Sequence, residues 1–301
     1  MHKVYTIMFF FSIALTLLAL GAFMVYGLNF GIDFRGGSIL ELEFADNRPS
    51  APDIQKVLSD NLSVKDAEVS FVGDRGVLLK MGEISEEQHQ EILNKMRTSL
   101  TDVFEEKKFD SIGPVVGEEL KDKSVQAIII TLLTIIIYIA FVFRKMSVVL
   151  SPWAMGLAAM LALAHDIIIP VGVFSLLGHF YGVEISAVFM AALLTILGYS
   201  VSDTVVIFDR IRENVIRNRL KENFEKLVHT SIMQTLTRSL NTNFTALLSL
   251  VAIYLFGGES LRYFALALII GIFLGAYSSI FVAAPLLVWW SGWSRTKSRS
   301  R

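Results

Sequence analysis

A carboxylate, Asp203, lies near the end of an apolar run in the stretch Gly198-Tyr199-Ser200-Val201-Ser202-Asp203-Thr204-Val205-Val206-Ile207-Phe208-Asp209-Arg210-Ile211-Arg212-Glu213-Asn214. The run begins at about Ile185 and is long enough to cross a bilayer as a helix. Asp203 would then lie about 7–8 Å inside the hydrocarbon, at about 1.5 Å per residue. A carboxylate at that depth costs about 2.5–3.5 kcal/mol on insertion scales, and such a residue is expected to be functional.

The composition of the chain is that of a membrane protein. Of its 301 residues 53% are hydrophobic and the mean hydropathy is +0.57, which is too apolar for an ordinary soluble domain. The chain has no cysteine, which excludes thiolate catalysis, disulfides and cysteine-ligated metal sites. It also lacks a Gly-x-x-x-x-Gly-Lys-Ser/Thr phosphate loop, a Gly-x-Gly-x-x-Gly dinucleotide motif and a His-Glu-x-x-His metal motif. We therefore expect neither an enzyme nor a bound cofactor or metal ion.

Six apolar runs predict six transmembrane helices. The first lies within residues 1–28, and it is too long for the apolar core of a signal peptide, so we interpret it as an uncleaved helix. The other five lie within residues 122–293, and they are Val125–Phe143, Val148–Leu177, Ile185–Phe208, Thr235–Phe256 and Arg262–Trp290. A hydrophilic, helix-forming segment at residues 209–237 connects two of them, and residues 294–301 form a basic tail.

Residues 29–121 alternate between extended and helical patterns, and we expect a separate α+β domain there. The predicted strands are Gly37–Phe44, Ala67–Val72, Gly76–Met81 and Phe109–Val115. The predicted helices run from Pro52 to about Asn61 and from Ser85 to about Glu106, and Ser85 with Gln88 fits a capping box. The order β-α-β-β-α-β is that of a ferredoxin-like domain. The predicted fold class is a polytopic α-helical membrane protein with six transmembrane helices and one external α+β ferredoxin-like domain between helices 1 and 2.

The distribution of charge predicts the orientation in the membrane. Residues 29–120 carry ten basic and nineteen acidic residues, a net charge of −9, which makes nucleic acid an implausible partner. The connecting segment, in contrast, carries seven basic against four acidic residues up to Arg238, and the C-terminal tail is basic. By the positive-inside rule both termini and the connecting segment are cytoplasmic, and the acidic domain is outside.

Four polar residues of the predicted spans are candidates for an ion pathway. Asp203 could gain and lose a proton, or it could be a structural carboxylate that joins helices. Arg238 lies about four residues inside the fifth span, at a depth similar to that of Asp203, although its side chain could also reach the headgroups. His165 and Asp166 in the third span could relay protons or satisfy helix contacts. Their side chains point about 100° apart on a helix, so they need not touch.

Nine further residues belong to motifs whose simplest interpretation is structural. Gly198 and Ser202 form a small-x-x-x-small pair that lets a neighbouring helix approach closely. Asp209 and Arg210 mark the charged end of the fourth span. The remaining five belong to the turn that follows the first span, where glycines allow positive φ, and they are Gly31, Asp33, Arg35, Gly36 and Gly37.

Three motifs resemble those of the SecF branch of the SecD/SecF family. They are Gly31-Ile32-Asp33-Phe34-Arg35-Gly36-Gly37 after the first span, Ala164-His165-Asp166 in the third, and the stretch from Gly198 to Asn214 in and after the fourth. Gln234-Thr235-Leu236 with Arg238-Ser239 fits as well, and the match runs through the whole chain in order. One departure is that the family often has Asn before the aspartate, where this chain has Ser202.

The resemblance implies a role in protein export across the bacterial cytoplasmic (inner) membrane. SecF and SecD together are similar to a transporter of the resistance-nodulation-division superfamily, and they use the proton-motive force or a sodium gradient to assist late translocation beside the SecYEG channel. The resemblance implies that Asp203 is the ion-pathway carboxylate and that Arg238 works with it. Implied partners are SecD, SecYEG, YajC or YidC, the exported unfolded polypeptide and membrane lipid. Two alternatives are half of a small-molecule exporter of the same superfamily and a passive scaffold of the export channel.

Overall fold

The computed structural model describes residues 3–46, 48–62, 67–100, 103–144, 151–218 and 223–299. The chain divides into a membrane unit, Met1–Asn29 with Val125–Arg301, and a second unit, Phe30–Ser124. The element order is α1 (Lys3–Tyr26), α2 (Ile32–Arg35), β1 (Gly37–Phe44), α3 (Ala51–Leu62), β2 (Glu68–Val72), β3 (Gly76–Met81), α4 (Glu86–Ser99), β4 (Phe104–Ile112), α5 (Pro114–Val142), α6 (Pro152–Tyr181), α7 (Ala187–Asn218), α8 (Phe224–Phe256), α9 (Glu259–Ser278), a π-helical turn (Ser279–Ala283) and α10 (Ala284–Arg299).

Six helical segments of the described residues are long and apolar enough to cross a membrane. They are α1, α5, α6, α7, α8 and the run from Leu261 to Gly292 that comprises most of α9, the π-helical turn and the first part of α10. The prediction of a polytopic α-helical membrane protein is therefore confirmed. The π-helical turn sits where the sequence predicts one uninterrupted sixth helix, and the side chains of Ser279, Val282 and Ala283 in it are buried.

The helices α7 and α8 extend well beyond the predicted spans into the connecting segment. Ile211 and Val215 continue the apolar stripe of α7, and Phe224, Leu227 and Val228 begin that of α8. All five side chains are buried in one cluster with residues of α5, α6 and α10. The described parts of the segment are helical because this i, i+3, i+4 stripe packs against other helices. The four residues 219–222 between the two helices lie outside the described residues.

The second unit is an α+β unit built on a four-stranded sheet in the order β2-β3-β1-β4. Every pairing in it is antiparallel, and β1 lies in the middle between β3 and β4. Leu40 and Leu42 alternate along the buried face of β1, and they share a hydrophobic core with Leu58 of α3 and with Ile92 and Met96 of α4. The predicted capping box of α4 is present, since Ser85 Oγ accepts from the backbone N–H of Gln88 and the Gln88 side chain accepts from the backbone of Ser85.

The prediction that the second helix reaches Glu106 and that a strand begins at Phe109 is wrong. α4 ends at Ser99 and β4 already begins at Phe104, while Pro114 starts α5. The physical reason is tertiary packing, because Phe104 pairs with Phe44 of β1 and their rings lie 5.4 Å apart in the core. Pairing with a central strand outweighs the weak local preference of a charged segment.

His89 also connects α4 to β4. Its Nδ1 lies 3.2 Å from Glu86 Oε1, its Nε2 lies 3.2 Å from Glu106 Oε1, and its ring stacks on Phe109 with centroids 3.8 Å apart. Hydrogen bonds from Gln90 and from His89 hold the pKa of the Glu86 carboxyl below its ordinary value. The buried His89 imidazole therefore holds the start of α4 against β4, whose true beginning the sequence pattern does not predict.

In the membrane unit, α1 and α6 approach each other closely at Gly172. A Cβ atom added there would lie 2.5 Å from both the Cα and the carbonyl oxygen of Ala19. Because these are backbone atoms, the two helices would have to separate. We predict that Gly172→Ala destabilises the protein by about 1–3 kcal/mol, the range of overpacked cores. The measurement is the thermal unfolding midpoint of the purified protein in detergent.

The matched control is Gly21→Ala on α1, where an added Cβ meets nothing within 4 Å. It should leave the midpoint unchanged or raise it, because alanine favours a helix over glycine. Equal midpoints for the two variants would contradict the close packing of α1 on α6.

Candidate functional site

Asp203 lies buried on α7 and is hydrogen-bonded to α8. Asn243 Nδ2 donates to Asp203 Oδ2 over 2.6 Å, and it also donates to the backbone carbonyl of Ser239 over 2.8 Å. The Ser239 hydroxyl oxygen accepts from the same Asn243 Nδ2 over 3.4 Å. All three side chains are buried. The Asp203 carboxylate, a candidate for the ion pathway, is therefore held by neutral groups of α8.

The helices α7 and α8 run antiparallel, as predicted, but the structure does not bring Asp203 and Arg238 together. Tyr199 Oη donates to the Thr242 carbonyl oxygen over 3.1 Å, and Arg210 Nε donates to Gln234 Oε1 over 2.6 Å, so the two charges lie at similar levels. The Arg238 side chain is nevertheless exposed, and no ion pair joins it to a carboxylate within the described ranges. Ser239, which follows Arg238 on α8, is on the side of the helix that faces Asp203.

The polar half of α8 presents two faces. One stripe is buried against the membrane unit, and it consists of Thr235, Ser239 and Asn243 at spacings of four residues. The other side is exposed in this chain, and it comprises Thr237, Arg238, Asn241, Thr242 and Thr245. Only part of this polar half therefore faces the helix bundle of its own chain.

Asp166 is completely buried and accepts hydrogen bonds from three side chains. Ser200 Oγ of α7 and Ser278 Oγ of α9 both donate to Oδ2, over 2.5 and 2.7 Å, and His165 Nδ1 lies 2.8 Å from Oδ1. Gly275 allows this approach of α9 to α7, since a Cβ there would lie 2.9 Å from Ser200 Cβ. The carboxylate thus ties α6, α7 and α9 together.

His165 and Asp166 touch, although their helical spacing left this open. The His165 ring also lies parallel to that of Tyr277, at 22° with centroids 6.2 Å apart. Tyr277 Oη donates to the Met8 carbonyl oxygen over 2.8 Å, which links α9 to α1. The pair is therefore part of a network through four helices.

Unsatisfied polar atoms concentrate in this region. Three buried side-chain atoms of the membrane unit have no hydrogen-bond partner among the described residues, and they are His165 Nε2, Thr204 Oγ1 and Asn243 Oδ1. Asp166 is linked to the same region of α7, because Ser200, to which it is hydrogen-bonded, lies one helical turn before Asp203. No group of three or more His, Cys, Asp or Glu side chains that could hold a metal ion occurs in the part of the chain that the structure describes.

A cavity of about 620 Å³ lies between α1, α8 and α9 beside this network. Most of its lining is apolar, with Leu240, Phe244 and Phe273 among its walls. Ser239, Asn243 and Tyr277 also line it, so the cavity reaches the side chains that bind Asp203.

Gly198 and Ser202 lie on an open face of α7 as far as the described residues show. Both are exposed, and a Cβ added to Gly198 would meet nothing within 4 Å. The close approaches of α9 to α7 occur instead at Gly271, which faces Ile196, and at Gly275. The small-x-x-x-small pair therefore lies on a face of α7 that no described helix covers.

Asp209 and Arg210 lie beyond the apolar part of α7. Asp209 Oδ1 pairs with Arg212 Nη2 over 2.7 Å, and Arg210 Nη1 pairs with Glu213 Oε2 over 2.5 Å. Arg210 and Asn214 also bind Gln234 of α8, the first residue of the Gln234-Thr235-Leu236 motif. These contacts fasten the extended ends of α7 and α8 to each other.

The motif after the first span comprises the short helix α2 and two glycines whose conformation and surroundings require glycine. Gly31 is buried, Asp33 is half-buried and Arg35 is exposed. Gly36 has φ +75°, and a Cβ there would lie 2.6 Å from Pro114 Cα. Gly37 has φ +128°, and a Cβ would lie 2.8 Å from the Met81 carbonyl oxygen. Both the positive φ and the lack of space require glycine.

Comparison with known proteins places the chain in a family. The family described as "Protein export membrane protein SecD/SecF, C-terminal" matches residues 92–293, and the "SecD/SecF GG Motif" matches residues 21–47. The protein translocase subunit SecF of Thermobaculum terrenum is 42% identical over 278 residues, 89% of this chain and 86% of the relative. That of Anaerolinea thermophila is 40% identical over 93% of this chain and 91% of the relative.

Longer relatives match over part of their length. The protein translocase subunit SecDF of Brucella abortus is 38% identical over 92% of this chain, which spans 35% of that relative. The crystal structure of SecDF from Thermus thermophilus is 37% identical and superposes with a TM-score of 0.77 over 93% of this chain and 37% of that one. Because the SecD/SecF model alone covers more than half of the sequence, the resemblance seen in the three motifs is confirmed: the chain belongs to the SecD/SecF family of protein export membrane proteins.

Proposed function

We propose that this chain is an accessory subunit of the bacterial Sec protein-export machinery in the cytoplasmic membrane. With SecD, it uses the proton-motive force or a sodium gradient to assist late polypeptide translocation. It acts as a transport component rather than an enzyme. Support comes from relatives that carry the name protein translocase subunit SecF at about 40% identity over most of the chain, and from the arrangement of carboxylates in the membrane helices.

The observation that carries the ion step is the environment of Asp203. This carboxylate is buried in a membrane-spanning helix, and its hydrogen-bond partner is the neutral amide of Asn243 rather than a cation. A carboxylate held by neutral groups can exchange a proton without breaking an ion pair. Intramembrane carboxylates in such positions mark proton relays. In this proposal Asp203 is the group that loads and releases the ion.

Asp166 and His165 have a different part in the pathway. Three donors satisfy the Asp166 carboxylate, and each of them comes from a separate position in the bundle. Hydrogen bonds to an ionised carboxylate are stronger than those between neutral groups, so three of them hold this side chain in place. We propose that Asp166 is a fixed anchor that binds α7 one helical turn from Asp203, and that His165 orients it.

A second membrane chain should cover the exposed polar surface of α7 and α8. This surface consists of Gly198 and Ser202 on α7 and of Thr237, Arg238 and Asn241 on α8. Polar side chains that face lipid are costly, so they normally face protein or a water-filled path. SecD is the partner that fits, since in two SecDF relatives the matching segment makes up only 35% and 37% of one longer chain. Arg238 would then act at the interface.

The orientation and the remaining partners rest on the charge pattern and the family. The proposal places both termini and the connecting segment in the cytoplasm and the α+β unit outside. Its β-α-β-β-α-β order and its sheet order β4-β1-β3-β2 support a ferredoxin-like assignment. SecYEG, YajC or YidC and the exported polypeptide complete the proposed assembly, with lipid around the spans.

We predict that Asp203→Asn abolishes the gradient-stimulated part of export. The amide keeps the size of the side chain but cannot carry a proton in the relevant range, so the ion step stops while the fold remains. The measurement is export of a reporter preprotein into inverted membrane vesicles with ATP, with and without an uncoupler.

The control is Asp209→Asn, which removes an exposed carboxylate of the same helix. It should retain the response to the uncoupler. Gradient-stimulated export at the normal rate in Asp203→Asn would favour the passive scaffold and sink the ion step. A small-molecule exporter would instead show substrate transport without any effect on the preprotein.

Asp166 should respond to substitution differently from Asp203. We predict that Asp166→Ala destabilises the purified protein, because three buried donors lose their acceptor at about 1–3 kcal/mol each. Thermal unfolding in detergent measures this, and Asp203→Asn is the comparison that should keep its midpoint. Similar midpoints for Asp166→Ala and the unaltered protein would contradict the anchoring role.

The proposed partner surface can be tested with a bulky residue. Ser202→Trp should leave the midpoint of this chain unchanged, because the position is exposed, but it should reduce the amount of SecD that co-purifies. Ile130→Trp provides the control on α5, where the native side chain is also exposed. Full recovery of SecD with Ser202→Trp would show that the partner binds elsewhere.

A further inference from the structure

We propose that Asn243 is a positioning residue that serves Asp203 in both of its protonation states. Its Nδ2 donates to the ionised carboxylate, and its Oδ1 accepts from the protonated carboxylic acid. This inference rests on the proposed ion step and adds the group that makes the step possible inside the helix bundle.

The donor end of the amide is fully used, whereas the acceptor end is not. Nδ2 has two hydrogens and three acceptors, which are Asp203 Oδ2 at 2.6 Å, the Ser239 carbonyl oxygen at 2.8 Å and the Ser239 hydroxyl oxygen at 3.4 Å. Oδ1 is buried without a hydrogen-bond partner among the described residues. A buried acceptor without a donor is unfavourable, so such an atom calls for an explanation.

Proton loading would supply the missing donor. An ionised carboxylate only accepts hydrogen bonds, whereas a carboxylic acid also has one O–H to donate. A hydronium ion that gives its proton to Asp203 leaves as water, and the new O–H needs an acceptor at the place where Nδ2 now donates. Rotation of the amide by about 180° about its terminal torsion, which has a broad two-fold profile, exchanges Oδ1 for Nδ2. Nδ2 then loses the Ser239 carbonyl as a partner, but Oδ1 faces the Ser239 hydroxyl, which lies 3.4 Å from the present Nδ2 and can turn from acceptor to donor. Release of the proton to water reverses both changes.

The surroundings leave room for this rotation. Asn243 and Ser239 line the cavity of about 620 Å³, so one side of the amide borders open space rather than packed side chains. A water molecule fits in such a space where it finds polar partners, and it could accept from the displaced Nδ2. Arg238, on the same helix, is exposed and forms no hydrogen bond to the carboxylate within the described residues.

The titratable groups around the pair and along its cavity belong to five helices. Asp166 of α6 binds Ser200, which lies one helical turn before Asp203, and His165 binds Asp166. The remaining ones are Tyr5 of α1, Tyr199 of α7, His229 and Arg238 of α8, and Tyr277 of α9. Asn243 differs from all of these because it contacts the Asp203 carboxylate itself and carries no charge in any state.

The test uses the membrane complex of this chain with SecD in inverted vesicles and measures gradient-stimulated export over a range of pH. The key comparison is Asn243→Ser with Asn243→Ala, which differ by one hydroxyl group. A hydroxyl both donates and accepts, so the serine variant should retain gradient stimulation, whereas the alanine variant should fall to the level of Asp203→Asn. Asn241→Ala is the control on the exposed side of the same helix and should behave as the unaltered chain.

A third variant separates positioning from packing. Asn243→Asp keeps the shape of the side chain but places two carboxylates side by side, and these share a proton rather than both ionise. The pH optimum of gradient-stimulated export should therefore move by about one pH unit, since coupled carboxylates titrate as a pair. A merely structural asparagine predicts an unchanged optimum with lower total export.

The outcomes distinguish this inference from the proposed function. If Asp203→Asn abolishes gradient stimulation and the serine and alanine variants behave alike, the ion step stands and the role of Asn243 is overturned. An unchanged pH optimum in Asn243→Asp overturns it as well. If Asp203→Asn itself retains gradient stimulation, the ion step fails and the role of Asn243 fails with it.

Discussion

The Asp166 carboxylate determines how the membrane helices α6, α7 and α9 pack. A fully buried carboxylate is tolerated only with donors around it, because its desolvation is costly. Here the donors come from Ser200 of α7, Ser278 of α9 and the neighbouring His165. The absence of a side chain at Gly275 lets α9 come close enough to deliver one of them. The three helices must therefore keep these faces toward one another as long as the carboxylate is charged.

The hydrogen bond between Asp166 and Ser200 sets which side of α7 faces α6 and α9. This orientation explains where the other residues of α7 point. At about 100° per residue, Asp203 lies only about 60° around the helix from Ser200, so it stays buried and meets α8. Gly198 and Ser202 are each two positions from Ser200, about 160° around, and thus face away from α6 and α9. The hydrogen-bonded Asp166 carboxylate of α6 thus accounts for two features of α7. These are the burial of Asp203 and the exposure of the face that carries Gly198 and Ser202.

Sequence patterns predict which face of a helix or strand is apolar and where the element ends, but not which neighbouring element packs against it. Apolar runs predicted the membrane helices, and the capping box placed the start of α4 at Ser85. Two features of the site were beyond such patterns. Ser278 is an ordinary serine within an apolar helix, and only the three-dimensional packing shows that it binds Asp166. Asn243 stood in a polar half-span beside the more conspicuous Arg238, although its spacing of four from Ser239 and eight from Thr235 marks the buried stripe. In the α+β unit, Phe104 was missed for a similar reason, since its partner Phe44 is distant in sequence.

Asp203 and Asp166 differ in the number of hydrogen bonds that hold them. This difference determines which helix an ion gradient could move in the proposed mechanism. One proton that crosses a potential of 100 mV supplies about 2.3 kcal/mol. A single net hydrogen bond is worth about 0.5–1.5 kcal/mol, and one to a charged group about 1.5–3 kcal/mol. This energy suffices to redirect one hydrogen bond, such as the one from Asn243 to Asp203. It does not suffice to release Asp166 from three donors at once. The element that responds to the proton should therefore be α8, which carries Asn243, Ser239 and the exposed Arg238, while α6, α7 and α9 remain fixed around Asp166.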